Sequence, residues 1–340
     1  MPTARHGRSN AWFCALPRLR PPRPALIRGL ATVWRSVVCP AAGCGIISDA
    51  AARESPYRMR SARPGSMWRT AMAILMCRPE HFGIEYEINP WMHVEVAVDR
   101  QRALQQWRAL ERTYAELGVT VDFVEPVSGQ PDMVFTANAA VLWNGRAVLS
   151  HFRHPERQGE EPHWRAALER RGFEVQVTPP GIAFEGAGDA LFVGERLFAG
   201  YGFRTDREAH RHLARALGVE VVSLELVDPR FYHLDTCFCP LDERTVMFAP
   251  EAFAPRSARL IRRLVPHVIE VPVDVAAGFA CNAIAVGHRV VSSLAAERLE
   301  GPLHDAGFDT VVALPMSEFM KSGGGVRCLS LPLDTGRAVA

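Results

Sequence analysis

The chain has 340 residues, 48% of them hydrophobic and 22% charged, with 39 basic against 37 acidic side chains and a formal net charge of +2. That length buries a large core as one big domain or two ordinary ones, and no apolar run approaches the roughly 18 residues of a membrane span. The charge is uneven: residues 1–66 hold eleven arginines against Asp49 and Glu54. The remainder is therefore mildly acidic, which argues against nucleic acid as its ligand.

Residues 1–66 are rich in Arg, Pro, Ala and Gly without a sustained period, and Arg28 and Arg35 interrupt the apolar stretch 25–38. This composition reads as a disordered segment, or as a translated region ahead of a start at Met67 or Met72, and not as a signal peptide. A single domain is expected over 67–340.

From Ala73 a pattern recurs. An apolar run, a polar turn ending in arginine and a second apolar run surround Asn144-Gly-Arg146, Gly194-Glu-Arg196, Asp242-Glu-Arg244 and Gly287-His-Arg289. Each predicts a β-hairpin, and Asn-Gly is the strongest of the four turn signals. A helical stretch follows each hairpin; in 207–217, Ala209, Leu213, Ala216 and Leu217 share one face. These stretches stop at Gly118, Gly172, Gly218 and Gly307, where glycine supplies a left-handed cap, and one unit uses Pro266 instead. Such spacing predicts an α/β fold of five ββαβ units, a closed five-bladed α/β propeller. The first unit would be completed by a strand over 326–333 beside 73–77. A ligand would lie on the axis, where loops from every unit converge.

Eight cysteines show no dependable metal spacing. Cys237 and Cys239 would share a strand face, but they lack a second pair or histidine partners. They read as reduced core thiols of a cytoplasmic protein without metal or cofactor. Cys328 is different, because Gly323-Gly-Gly precedes it and an apolar, strand-like run over 329–333 follows. A cysteine so placed is either a nucleophile or a small core residue. Two other stretches favour the first: His233-Leu-Asp235 and Glu185-Gly-Ala-Gly-Asp189. Cysteine beside histidine, with a carboxylate orienting the imidazole, is the general recipe for an activated thiolate. Further carboxylates would raise the thiol pKa unless a cation fills the pocket, and a planar guanidinium suits paired carboxylates best.

Five motifs, Ile88-Asn-Pro-Trp-Met92, Asp132-Met-Val-Phe-Thr-Ala-Asn138, Phe184-Glu-Gly-Ala-Gly-Asp189, His233-Leu-Asp-Thr236 and Gly323-Gly-Gly-Val-Arg-Cys328, appear in this order. Together they resemble the guanidine-modifying amidinotransferase and dimethylarginine dimethylaminohydrolase superfamily, the penteins, over about 73–333. The resemblance implies a five-bladed propeller and a Cys–His–acid mechanism. Cys328 would attack the guanidinium carbon, and His233 would protonate the departing amine and then activate water. Asp235 would hold guanidinium nitrogens, and Glu185 or Asp189 would orient the histidine, since the loop is one residue longer than the family's usual Glu-Gly-Gly-Asp. Asn138 stands where arginine deiminases carry aspartate, as in the arginine dihydrolases. An amide donates and accepts, so it can hold a neutral ureido group as well as a cation.

The expectation is therefore hydrolysis of arginine to ornithine, ammonia and carbon dioxide. Arg157 and Arg204 are candidates for the substrate carboxylate, with Asn89 and Asp189 as further polar contacts to the substrate. Alternatives are dimethylarginine hydrolysis, arginine deimination, amidino transfer to an amine, and a non-catalytic binding propeller. The expected partner is a small guanidino compound, with no nucleic acid or membrane, and homo-oligomerisation is left open.

Overall fold

The structure, a computed structural model, describes residues 72–333, all within one structural unit; the reading of 1–66 lies outside the described residues. Strand β1 (Ala73–Cys77) runs parallel to β2 (Thr120–Val124). Strands β3 (Ala140–Trp143) and β4 (Arg146–Leu149) form a hairpin, and β5 (Glu174–Val177) lies parallel to β4. The same arrangement recurs in β6 (Ala190–Val193), β7 (Arg196–Tyr201) and β8 (Val221–Glu225). It recurs again in β9 (Phe238–Pro240), β10 (Thr245–Phe248) and β11 (His267–Glu270), and in β12 (Ile284–Val286), β13 (Arg289–Ser293) and β14 (Thr310–Leu314). Finally β15 (Leu331–Pro332) pairs antiparallel with β1 and gives the first sheet its third strand. The described residues form an α/β fold with five three-stranded sheets.

Local chemistry accounts for this repetition. Asn144 and Gly145 both take positive φ, 48° and 77°, and so make the tight turn that sets Trp143 opposite Arg146. A parallel strand pair needs a long crossover, and one helix serves each sheet: Arg100–Glu116, Glu161–Glu169, Ala209–Leu217, Pro255–Leu264 and Glu300–Asp305. The first is capped by Asp99, whose carboxylate accepts from Arg102 N, and it buries Ala103, Trp107, Leu110 and Tyr114 against the sheet. Gly118, Gly172, Gly218 and Gly307 all lie at φ between 71° and 93° just past their helices. The fourth helix stops at extended Val265, because the Pro266 ring disfavours helix in the residue before it.

The C-terminal segment pairs with β1 as expected, Ile74 opposite Pro332 and Leu75 opposite Leu331. The strand is much shorter than 326–333, however. Leu329 N donates to Gly325 O (3.2 Å) and Ser330 N to Arg327 O (3.1 Å), so 326–330 is a helical turn. Cys328 rides on that turn and does not head a strand.

A short turn or helical segment precedes the first strand of each of the last four sheets, and another precedes β15. These are Thr136–Ala139, Gly186–Asp189, Leu234–Thr236, the turn 279–283, and the 326–330 turn. Each carries polar side chains that are buried.

Candidate functional site

The three glycines before Cys328 are demanded by three different neighbours. A Cβ on Gly323 (φ 80°) would lie 2.7 Å from the Tyr232 hydroxyl. One on Gly324 would lie 2.3 Å from the Phe135 ring, and one on Gly325 2.9 Å from Asn282 Oδ1. No other residue allows all three approaches. Tyr232 donates from its hydroxyl to Gly323 O (2.8 Å), which ties the loop to the residue before His233. The Cys328 sulfur is buried, 3.3 Å from Asp235 Oδ2 and 3.0 Å from Asn282 Nδ2. Burial, and then the neighbouring Asp235 carboxylate, push its thiol well above the usual cysteine range.

His233 Nε2 lies 2.7 Å from Glu185 Oε2, and the same oxygen accepts from Arg204 (2.8 Å). Burial opposes ionisation of Glu185, but the Arg204 guanidinium and the imidazole outweigh it and hold the carboxyl well below the usual range. Arg204 also donates to Ile88 O (2.9 Å) and stacks on the Tyr232 ring at 4.7 Å. Asp189 is spent differently. Its oxygens accept from Thr205 Oγ1 (2.7 Å) and Leu234 N (3.0 Å), so it fixes the backbone that follows His233. Burial raises its carboxyl to about 6. Of the two acids that the longer loop offers, Glu185 touches the imidazole, whereas the oxygens of Asp189, expected as a substrate contact, go to Thr205 and Leu234 N. The longer loop is accommodated by glycine: a Cβ on Gly188 would lie 2.3 Å from Asn138 Nδ2 and 3.3 Å from the His233 ring.

A narrow cavity of ≈ 10 Å³, room for about one water molecule, opens beside Cys328. Asn89, Asp132, Asn138, Arg157, Arg204, Tyr232 and Ser322 contribute to its wall, so the lining is mainly polar. His233, Asp235 and Glu185 stand behind this lining. The hydrogen bonds of the imidazole and the thiol go to different partners, Glu185 for one and Asp235 and Asn282 for the other.

Among the described residues, three polar atoms of the cavity wall, Asp132 Oδ1, Asn138 Nδ2 and Ser322 Oγ, find no hydrogen-bond partner in the protein, and neither does Asp235 Oδ1, whose carboxylate touches the Cys328 sulfur. Buried polar groups are nearly always satisfied, so such a cluster points to a ligand that satisfies them. Two are carboxylate oxygens, which want donors. Burial raises Asp235 to about 7 and Asp132 to about 6, values that a bound cation would lower.

The two arginines are less available than their sequence suggests. Arg157 is gripped by both oxygens of Glu160 (2.7 and 3.0 Å) and also donates to Asn138 Oδ1 (2.9 Å) and Asp132 O (3.3 Å). Glu160 stands three residues on, a pairing legible in the sequence. Arg204 holds Glu185, so its loss would disturb the histidine. Asn89 donates to Ser322 O (3.2 Å) and accepts from Trp91 N (2.9 Å), which places it on the wall and holds the Cys328 loop. Asp132, Tyr232 and Asn282 were not singled out from sequence. Asn282 was findable, because it occupies the turn before β12, the place that Asn138, Asp189 and Asp235 occupy before their own strands.

Residues 78–334 match the family model described as N,N dimethylarginine dimethylhydrolase, eukaryotic. The chain is 47% identical over 264 residues to the bifunctional arginine dihydrolase/ornithine cyclodeaminase ArgZ of Synechocystis sp., a match covering 76% of this chain and 37% of ArgZ. The chain thus spans a little over a third of that relative's length. It is 45% identical over 258 residues to the N(G),N(G)-dimethylarginine dimethylaminohydrolase of Mycobacterium tuberculosis, covering 76% of this chain and 84% of that protein. Among solved structures, the N-terminal domain of an ArgZ variant covalently bound to a reaction intermediate superposes with a TM-score of 0.75 at 45% identity, covering 78% of this chain and 98% of that one.

Proposed function

Because this chain belongs to the N,N dimethylarginine dimethylhydrolase family, we propose that it hydrolyses the guanidinium of free arginine through Cys328, giving ornithine, ammonia and carbon dioxide. The observation that carries this reading is the pair of buried, half-satisfied carboxylates, Asp132 on the wall of the polar cavity that reaches Cys328 and Asp235 against the Cys328 sulfur. A cation with several N–H donors satisfies both oxygens. The five sheets, repeating in sequence and joined first to last by β15 and β1, support the five-bladed α/β propeller, with the site where the units' loops meet.

In this reading Asp235 Oδ1 accepts from the guanidinium, Asp132 Oδ1 from the α-ammonium, and Arg157 or Arg204 turns a donor to the α-carboxylate. The cavity admits about one water molecule, so arginine binding displaces side chains of the wall. As the cation arrives, the carboxyls ionise and the field at the sulfur becomes less hostile to a thiolate. Cys328 loses its proton to the His233 imidazole, Sγ bonds to the guanidinium carbon, the carbon–nitrogen bond breaks, and His233, held by Glu185, gives that proton to the departing ammonia. Water activated by the same imidazole then attacks the thiouronium carbon, the carbon–sulfur bond breaks, and citrulline forms. In the second round Cys328 Sγ bonds to the ureido carbon and the bond from that carbon to the ornithine nitrogen breaks, releasing ornithine; water then cleaves the carbon–sulfur bond, and the carbamic acid formed breaks down to ammonia and carbon dioxide. Asn138 suits this second round, because its Nδ2 lacks a partner and an amide accommodates both ligands. A covalent intermediate in ArgZ supports the covalent route. The reduced thiol fits a cytoplasmic setting.

The Mycobacterium tuberculosis relative, nearly as similar as ArgZ, favours dimethylarginine as a second reading. Product analysis with arginine, dimethylarginine, and arginine plus glycine separates the possibilities. Ornithine and two ammonia per arginine, lost in Cys328→Ser, is the expected result. Citrulline that accumulates without ornithine overturns the two-step reading. Dimethylamine or guanidinoacetate as the main product overturns the choice of arginine hydrolysis.

A further inference from the structure

We propose that Asn282 stabilises the ionised sulfur of Cys328 and fixes its direction, an inference that rests on the reading of Cys328 as the nucleophile. Asn282 is fully buried, and the hydrogen-bonding capacity of its amide is wholly committed. Oδ1 accepts from Arg327 N (3.0 Å) and Cys328 N (3.2 Å), while Nδ2 donates to Cys328 Sγ (3.0 Å) and Asp235 O (3.1 Å). The orientation of the amide follows from its partners. Two backbone N–H groups point at one end and can meet only the oxygen, so the NH₂ must face the sulfur. One side chain thus holds the backbone that carries the cysteine, the backbone of Asp235, and the sulfur itself.

The mount of Asn282 is itself constrained. Phe279 takes φ 64°, unusual for a bulky residue. Its carbonyl accepts from Asn282 N (3.1 Å), and Ser292 Oγ donates to Ala280 O (2.9 Å). Backbone strain of this kind persists where the surroundings over-determine a conformation, and such places cluster at functional sites. The electrostatics give the amide a task. The sulfur is buried beside Asp235, and both influences oppose its ionisation. Among its side-chain neighbours Asn282 contributes an N–H aimed at it, and a hydrogen bond to a charged group is among the stronger kinds.

Alkylation of Cys328 by iodoacetamide as a function of pH, followed on the Cys328 peptide by mass spectrometry, tests this without substrate turnover. It therefore stands apart from the arginine reading, which the product assay tests. Asn282→Ala removes the donor and should move the midpoint up by one to two pH units. Asn282→Asp keeps acceptors for Arg327 N and Cys328 N, so it preserves the loop if the alanine variant does not fold. It replaces the donor with a charge and should move the midpoint at least as far. A merely structural Asn282 would change the rate at all pH values and leave the midpoint in place. A midpoint within about 0.3 units of the parent in either folded variant overturns the proposal.

Discussion

Four of the carboxylates buried around the site divide into two unlike pairs. Glu185 and Asp189, from one turn, are fully engaged by the protein: Arg204 and His233 hold the first, Thr205 and Leu234 N the second. Asp132 and Asp235, from two other turns, each keep one oxygen without a protein partner. The first pair is finished before any ligand arrives and so pre-orients the imidazole. The second is left incomplete, which costs stability and makes sense as recognition of a cation.

Replacement of each carboxylate by its amide sharpens or breaks this contrast. The largest effect is expected for Glu185→Gln, which leaves the buried Arg204 guanidinium without its counter-charge. A loss of about 3–5 kcal/mol is expected for a broken buried pair, read as a lowered urea midpoint, along with slower turnover. Next is Asp235→Asn, which should leave stability nearly unchanged or improved and cost arginine binding or turnover about 2–5 kcal/mol, read in kcat/KM. A large stability loss there would place Asp235 in the first pair. The same variant carries a pH signature. Free Asp235 ionises near 7, raised by burial, and a bound cation lowers that value. Arginine binding at pH 6 should therefore release a proton, and KM should fall as pH rises to about 7 and then level. Calorimetry in buffers of different ionisation enthalpy reads the proton release, which should fall in Asp235→Asn to the smaller part that Asp132, raised to about 6, contributes. The smallest effect is expected for Asp189→Asn, about 1 kcal/mol of stability with KM within two-fold of the parent.

The contrast marks how far the sequence could be read. Hairpins and helix ends were legible because their causes are local. Asn144-Gly145 makes its turn from its own dihedrals, and Gly218 ends its helix at a left-handed φ. The segment after Cys328 was misread because alternating apolar residues suggest a strand, whereas a single carbonyl, Gly325 O, draws Leu329 N into a turn. The residue types of the site were visible, since Cys328, His233, Glu185 and Asp235 sit in recognisable motifs. What was hidden is which atoms are already taken. Whether an aspartate has a spare oxygen depends on backbone groups far away in the chain, as with Asp189 and Leu234 N. Asn282 escaped for the same reason, because its meaning lies in contacts with Arg327 and Cys328.

The pairing of β15 with β1 has a consequence in time. Leu75 must wait for Leu331, although the four other sheets assemble from partners close along the chain. A growing polypeptide emerging from the ribosome thus carries its first strand as an open edge, exposed to mispairing. The sulfur proposed as nucleophile lies in the same late stretch that closes that edge. A copy that stops short of Cys328 would therefore lack both the closing strand and the proposed nucleophile.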